Sequence, residues 1–184
     1  VQLGFRIEEE TWAEVKAFAP KIKQVAWERI EKEMTRTLLS SDPGRGLELL
    51  DESGLLKELI PEMQALKGCE QPPEFHPEGD VFTHTLLLLQ QLPARASETL
   101  ALGALLHDVA KPRCVGEHHG RITFYGHPSI GAELAVGICQ RLRRSRVTWE
   151  RVEYLVRNHL RLVQAPDMRL STLKRFLAEA GIEE

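Results

Sequence analysis

The stretch ALLHDVAKP, residues 104–112, closes an apolar run with a histidine, an aspartate and a lysine. A stripe built only for packing would continue with leucine and alanine, and one built only for solvent would not begin with Ala104, Leu105 and Leu106. The run therefore predicts a buried helix that delivers chemistry at its end. At about 100° per residue, His107 and Lys111 fall within roughly 40° of each other and Asp108 about 100° to one side, so all three can border one cavity. A paired imidazole and carboxylate offer nitrogen and oxygen to a divalent first-row ion or to magnesium. A lysine one turn further on is a point charge suited to phosphate.

Working outward, apolar residues keep the helical period almost throughout. Trp27, Ile30, Met34 and Leu38 recur at steps of three and four, as do Ile130, Leu134, Ile138 and Leu142, and Val152, Leu155, His159 and Val163. The one β-like run, RITFY at 121–125, is short and bounded by Gly120 and Gly126, and reads as an extended loop. The fold class is all-α. KGCEQPPEFHPEG at 67–79 interrupts any helix with three prolines and two glycines. It sets three segments: a helical neck and body over 1–68, a Pro-rich linker over 69–79, and a second helical domain over 80–184. In that domain Asp80 is the expected N-cap of a helix over 81–92, followed by helices near 97–111, 128–145, 147–163 and 170–180. No internal period supports a repeat architecture.

A chain of 184 residues is the size of one ordinary domain and can bury about 70% of its unfolded surface. Cys69, Cys114 and Cys139 lie far apart with no metal-type spacing, and no run is apolar enough to span a membrane, so a reducing cytoplasm is the expected setting. The formal net charge of −3 argues against a general nucleic-acid binder, but the charge is uneven. From Arg141 to Arg161 seven arginines face only Glu150 and Glu153. Arg141, Arg143, Arg144 and Arg146 make this stretch a candidate RNA-binding face.

Two residues cannot make a metal site, so the other histidines decide. His84 shares a helical face with Val81 and Leu88, and His159 lies on the apolar stripe of its helix, so both point inward. His127 precedes Pro128, a residue favoured in the first helical turn, and can project into a cleft from a helix start. A single buried histidine is ordinarily satisfied by a carbonyl. Four such residues beside Asp108 suggest a ligand set. His76, His118 and His119 fall in Pro- or Gly-flanked loops and read as solvated.

The order His84, His107-Asp108 with Lys111, His127 and His159 resembles the metal-dependent phosphohydrolase superfamily named after its His-Asp pair. HPEGDVFTHTLLLL, ALLHDVAKP, FYGHPSIGAELA and VRNHLRL are together similar to the C-terminal half of bacterial class II tRNA nucleotidyltransferases and poly(A) polymerases. QLGFRIEEETW, ERIEKEM and GLELLDESGLLKELIPEM resemble the helical neck and body of those enzymes. The resemblance implies a divalent metal (Mn, Mg, Ni, Fe or Co) on His84, His107 and Asp108, with His127 and His159 taking a second ion or the substrate phosphate. It implies catalytic roles for Asp108 and Lys111, and as substrate a small nucleotide or RNA-end phosphoester, with tRNA as a possible partner. It also implies that the chain belongs to a longer protein, and that a final aspartate ligand lies beyond Glu184 rather than at Asp167, which reads as a turn or cap residue. None of the five aspartates is spaced Asp-x-Asp, the pairing that phosphoryl transfer from a triphosphate requires, so primer extension assays on this chain alone are expected to show no nucleotide addition. Two functions remain open: a metal-dependent phosphohydrolase, and a non-catalytic RNA-binding body that serves a polymerase head.

Overall fold

The computed structural model describes residues 4–179, and the fold is all-α with one small hairpin. The first half holds α1 (Glu9–Phe18), α2 (Trp27–Leu38), α3 (Pro43–Glu52) and α4 (Leu55–Leu59), with 3-10 turns at Ala19–Gln24 and Pro61–Leu66. The second holds α5 (Val81–Gln90), α6 (Glu98–Leu106), α7 (His127–Arg141), α8 (Arg146–Val163) and α9 (Leu170–Glu179). Ala180, expected to end the last helix, lies outside the described residues.

Local chemistry fixes the helix starts. Asp42 Oδ1 accepts from Arg45 N at 2.9 Å ahead of Pro43, and Ser97 Oγ accepts from Leu100 N at 3.2 Å. Asp80 caps α5 as its sequence predicts: Oδ1 accepts from Thr83 N at 2.8 Å. Its other oxygen accepts from Gly68 N at 2.7 Å, which ties the start of α5 to the end of the first half.

One core runs through both halves, from Ile30, Met34 and Leu47 to Leu106, Ile138 and Val156. At its centre α6 is buried on every side from Ala101 to Leu106, and each fully enclosed leucine there stabilises the fold by roughly 1.5–3 kcal/mol relative to exposure. α6 packs against α8, which lies along α7. The approach of α7 to α8 requires Gly131, where an added Cβ would stand 3.3 Å from Val156 and 3.7 Å from the His107 carbonyl oxygen. Gly131→Leu is expected to force these elements apart at a cost of about 1–3 kcal/mol, read as a thermal midpoint several degrees lower.

The structure departs from two sequence expectations here. RITFY is not wholly a loop: Arg121–Thr123 (β2) pairs antiparallel with Gly116–His118 (β1). His119 and Gly120 turn the hairpin with φ of 51° and 75°, the double left-handed step that suits a two-residue connection. The helix expected over 97–111 stops at Leu106. Beyond it Val109 N donates to Leu106 O and Lys111 N to Asp108 O, three-residue turns that tighten the chain before Pro112, which has no N–H to continue a ladder.

Candidate metal centre

His107 caps the C-terminal end of α6, and the tight turn after it brings Asp108 into the core with 2% of its side chain exposed. His84 comes from the first turns of α5, His127 from the start of α7 beside Gly126, whose φ is 80°, and His159 from the last turns of α8. The four rings surround one carboxylate. Asp108 Oδ2 lies 2.9 Å from His107 Nε2 and 4.0 Å from His84 Nε2, while Oδ1 lies 3.3 Å from His127 Nε2 and 3.7 Å from His159 Nε2.

Every ring is held by its other nitrogen. Nδ1 of His107 reaches the Ala104 carbonyl at 2.8 Å, that of His127 the Phe124 carbonyl at 2.7 Å, and that of His159 the Val156 carbonyl at 2.7 Å. Nδ1 of His84 reaches Glu78 Oε1 at 2.6 Å. A carbonyl or carboxylate at Nδ1 makes that atom the N–H donor and leaves Nε2 with its lone pair, the orientation metal-binding histidines adopt.

Apart from the Lys111 ammonium, the inward face of the site is thus made of acceptors. His127 Nε2 and His159 Nε2 stand 3.2 Å apart with both Nδ1 protons committed elsewhere, and buried Asp108 Oδ1 has no hydrogen-bond partner. Such a cluster needs a shared proton or a cation. Separations of 2.9–4.0 Å across the cluster suit a divalent ion, whose neighbouring and opposed ligands stand about 3.0 and 4.2 Å apart when its bonds are about 2.1 Å long. Three groups are close enough to hold an ion: His76, Glu78 and His84; His84, His107 and Asp108; and Asp108, His127 and His159; the last two share the buried carboxylate.

His84, His107, Asp108 and His159 form the polar floor of a cleft of about 640 Å³ walled by Leu88, Leu92, Leu100, Leu155 and Leu160, with His127 behind them. Lys111 also borders the cleft. Its Nζ contacts Asp108 Oδ2 at 2.8 Å and Gln71 Oε1 at 2.5 Å, 5.3 Å from the centre of the Phe124 ring. The lysine is therefore engaged in holding the carboxylate as well as lying beside the cleft.

Residues 81–181, more than half of the chain, match the HD domain family. The chain belongs to the HD family. Residues 4–67 match a second family, described as the probable RNA and SrmB-binding site of polymerase A. The chain is 34% identical over 182 residues to the Multifunctional CCA protein of Alkalilimnicola ehrlichii, covering 95% of itself and 43% of that protein. It is 35% identical over 175 residues to the A-adding tRNA nucleotidyltransferase of Deinococcus radiodurans, covering 90% of itself and 40% of that protein. The chain thus spans about two fifths of the length of these relatives.

Within this HD-family site, burial lowers the histidines, and neighbouring groups hold the carboxylates ionised against it. Burial pushes the His159 imidazole down to about 4, and the neighbouring His107 and His127 add to it against the pull of the Val156 carbonyl and Asp108. His84 is lowered for the same first reason. Burial alone would raise Asp108, but His107, His127 and Lys111 outweigh it and hold the carboxyl well below its usual range. Burial is likewise outweighed at Glu78, where its own backbone N–H and the rings of His76 and His84 hold the carboxyl down to about 2. For the metal-free protein, the thermal midpoint is expected to fall as pH drops from about 6.5 towards 4. In that window the unfolded His159 takes up a proton that the folded one refuses, so the unfolded chain binds more protons and gains weight. Glu78 and Asp108 carry the loss further into acid. Midpoints measured in chelator across this range check the sign, and His159→Phe should flatten the upper part.

Two residues of the site lie outside the set read from the sequence. His76, expected to be solvated, lines the cleft, with its ring edge-on to His84 at 4.7 Å and its Nδ1 3.0 Å from Glu78 Oε1. Glu78 is not legible in the sequence, because a lone glutamate in a Pro-Gly turn ordinarily faces solvent; its one signal is its place just ahead of a helix that carries an inward histidine.

The arginines do not form one face. α7 ends in a Schellman motif, with Arg144 N bonding Cys139 O at 2.9 Å and Arg143 N bonding Gln140 O at 3.0 Å. Arg143 takes the left-handed position at φ 57° and is exposed. The next residue is thereby turned inward: the Arg144 side chain is 1% exposed and bonds Glu31, Glu98 and Thr35. Its assignment to RNA is corrected, since a guanidinium enclosed among these groups has no face left for a phosphate. Arg141 is held bidentately by Glu62 at 3.0 and 2.6 Å, and Arg146 by Glu150 at 2.7 Å. Asp167 is exposed, in the 3-10 turn Ala165–Asp167.

Proposed function

We propose that this chain is a divalent-metal-dependent phosphohydrolase acting on small nucleotide or RNA-end phosphoesters. The observation that carries the reading is the convergence of four histidine Nε2 atoms on buried Asp108 at the floor of an open cleft. His84, His107 and Asp108 would hold one ion, and His127 and His159 with the second oxygen of Asp108 would hold another ion or the substrate phosphate. A set rich in imidazole favours manganese, iron, cobalt or nickel over magnesium. Such an ion supplies Lewis acidity towards water and a phosphoryl oxygen. The chain's own residues do the rest. The three carbonyls and Glu78 keep the imidazoles in one tautomer. Lys111 fixes Asp108 and places positive charge where phosphoryl oxygens gain negative charge. The leucine walls limit water around the reacting group. Relatives named for CCA addition and A addition to tRNA support a nucleotide or RNA end as substrate. The test is elemental analysis of the purified chain together with hydrolysis of bis-p-nitrophenyl phosphate and 2′,3′-cyclic nucleotides before and after chelation. A chain that carries metal and loses hydrolysis on chelation supports the reading; one that binds no divalent ion overturns it.

A second reading, RNA binding, is favoured by the match of residues 4–67 to a probable RNA-binding family and by the exposed Arg143, with tRNA as the natural partner. Arg143→Gly tests it with two readouts of opposite sign. Glycine relieves the left-handed backbone, so the thermal midpoint should rise, by about 1 kcal/mol of stability. If Arg143 contacts a phosphate, the log-log salt dependence of RNA binding should flatten by about one unit. A raised midpoint with an unchanged slope would show Arg143 to be merely solvated.

A further inference from the structure

Three of the four site histidines are oriented by backbone carbonyls within three residues of themselves, Ala104, Phe124 and Val156. His84 is the exception. Its Nδ1 meets a carboxylate, Glu78 Oε1, at 2.6 Å, and that carboxylate is carried on the turn ahead of α5 rather than on the helix itself. The same oxygen is 3.0 Å from Nδ1 of His76, whose ring packs edge-on against His84 at the wall of the cleft. Both partners leave Glu78 with only 18% of its side chain exposed.

We propose that Glu78 is a positioning residue for the metal centre: it locks His84 as the Nδ1–H tautomer with Nε2 free for the ion, and anchors His76 at the cleft wall. This rests on the metal reading of the site. A charged acceptor at Nδ1 also makes Nε2 a stronger donor to a metal than a neutral carbonyl does. His84 needs that help most, because its Nε2 is the farthest of the four from Asp108, at 4.0 Å. Without Glu78 the His84 ring is free to carry its proton on Nε2, where it cannot ligate.

The experiment reads tautomers in the metal-free protein by long-range 1H–15N NMR of the histidine rings, then titrates cobalt(II) by visible absorption. In the wild type His84 should be protonated on Nδ1. In Glu78→Ala the proton should move to Nε2, and cobalt affinity should fall about 10–100-fold, the usual cost of losing an outer-shell partner, while the signals of His107, His127 and His159 stay in place. Glu78→Gln keeps an oxygen acceptor without the charge. It should retain the tautomer and bind cobalt with intermediate affinity, and it carries the test alone if the alanine variant fails to fold. An unchanged His84 tautomer with affinity within about twofold of wild type in Glu78→Ala overturns the proposal, as does wild-type affinity in Glu78→Gln when alanine does not fold. A wild-type chain that takes up no cobalt overturns the metal reading instead, while the tautomer comparison still decides what Glu78 does to His84.

Discussion

The double variant His107→Ala, Asp108→Ala is expected to carry no bound divalent metal by elemental analysis. Asp108 belongs to two of the three candidate ligand groups, so its loss empties both, and the third, His76, Glu78 and His84, is closed by the contacts of both rings with Glu78 Oε1. The effect should exceed the ~10–100-fold affinity loss typical of an outer-shell change, because a direct ligand is gone. The single variant Asp108→Ala adds a second cost. Lys111 is 6% exposed, and its ammonium would be left with only Gln71, an uncompensated buried charge that destabilises on the order of 3–5 kcal/mol. Adding Lys111→Met to Asp108→Ala should recover part of that stability without recovering metal, which separates the two roles of the carboxylate. Wild-type metal stoichiometry in the double variant would show that the ion sits elsewhere.

Arg144→Ala should be strongly destabilising although it lies outside the metal centre. The guanidinium joins Glu31 and Thr35 of α2 to Glu98 at the start of α6, so it fastens the first half of the chain to the second. Breaking a buried pair costs about 3–5 kcal/mol. Glu31 and Glu98 are 35% and 29% exposed and can regain water, which lowers the expected cost to about 2–3 kcal/mol, or roughly 4–12 °C in thermal midpoint. All three contacts are made by Nη1, while Nε and Nη2 are buried without partners, so Arg144→Lys, whose single ammonium has three donors, should recover part of the loss. A midpoint within a degree of wild type for Arg144→Ala would show that the enclosed pairs contribute no net stability.

Most of the fold is legible in the sequence because its signals are local. Asp42, Asp80 and Ser97 cap helices by their own side chains, and the apolar period of α2, α7 and α8 marks the faces that become core. The clustering of the four histidines is legible for a related reason: imidazoles on apolar stripes, or at a helix start before Pro128, point inward. What fails depends on contacts distant in the chain or on single backbone angles. Arg143 and Arg144 are adjacent and identical in type, yet one left-handed φ sends the first to solvent and the second to Glu31 and Glu98, far away in sequence. The hairpin at 116–123 depends on pairing through Gly116, a residue that reads as a break. Glu78 and His76 gain meaning only once α5 is folded against them.

The single carboxylate at the centre also sets a charge balance. Lys111 and Asp108 cancel each other, and burial keeps His84 and His159 averse to charge. Glu78 behind His84 adds one negative charge, so a divalent cation seated there would still leave one positive charge uncompensated, beneath leucine walls that give no counterion. The protein supplies too few anions to neutralise its own ion. The missing negative charge would have to arrive from solution, and a phosphate ester would supply it. With the substrate proposed above, anion and cation should bind with mutual reinforcement: each should raise the other's affinity by the same factor.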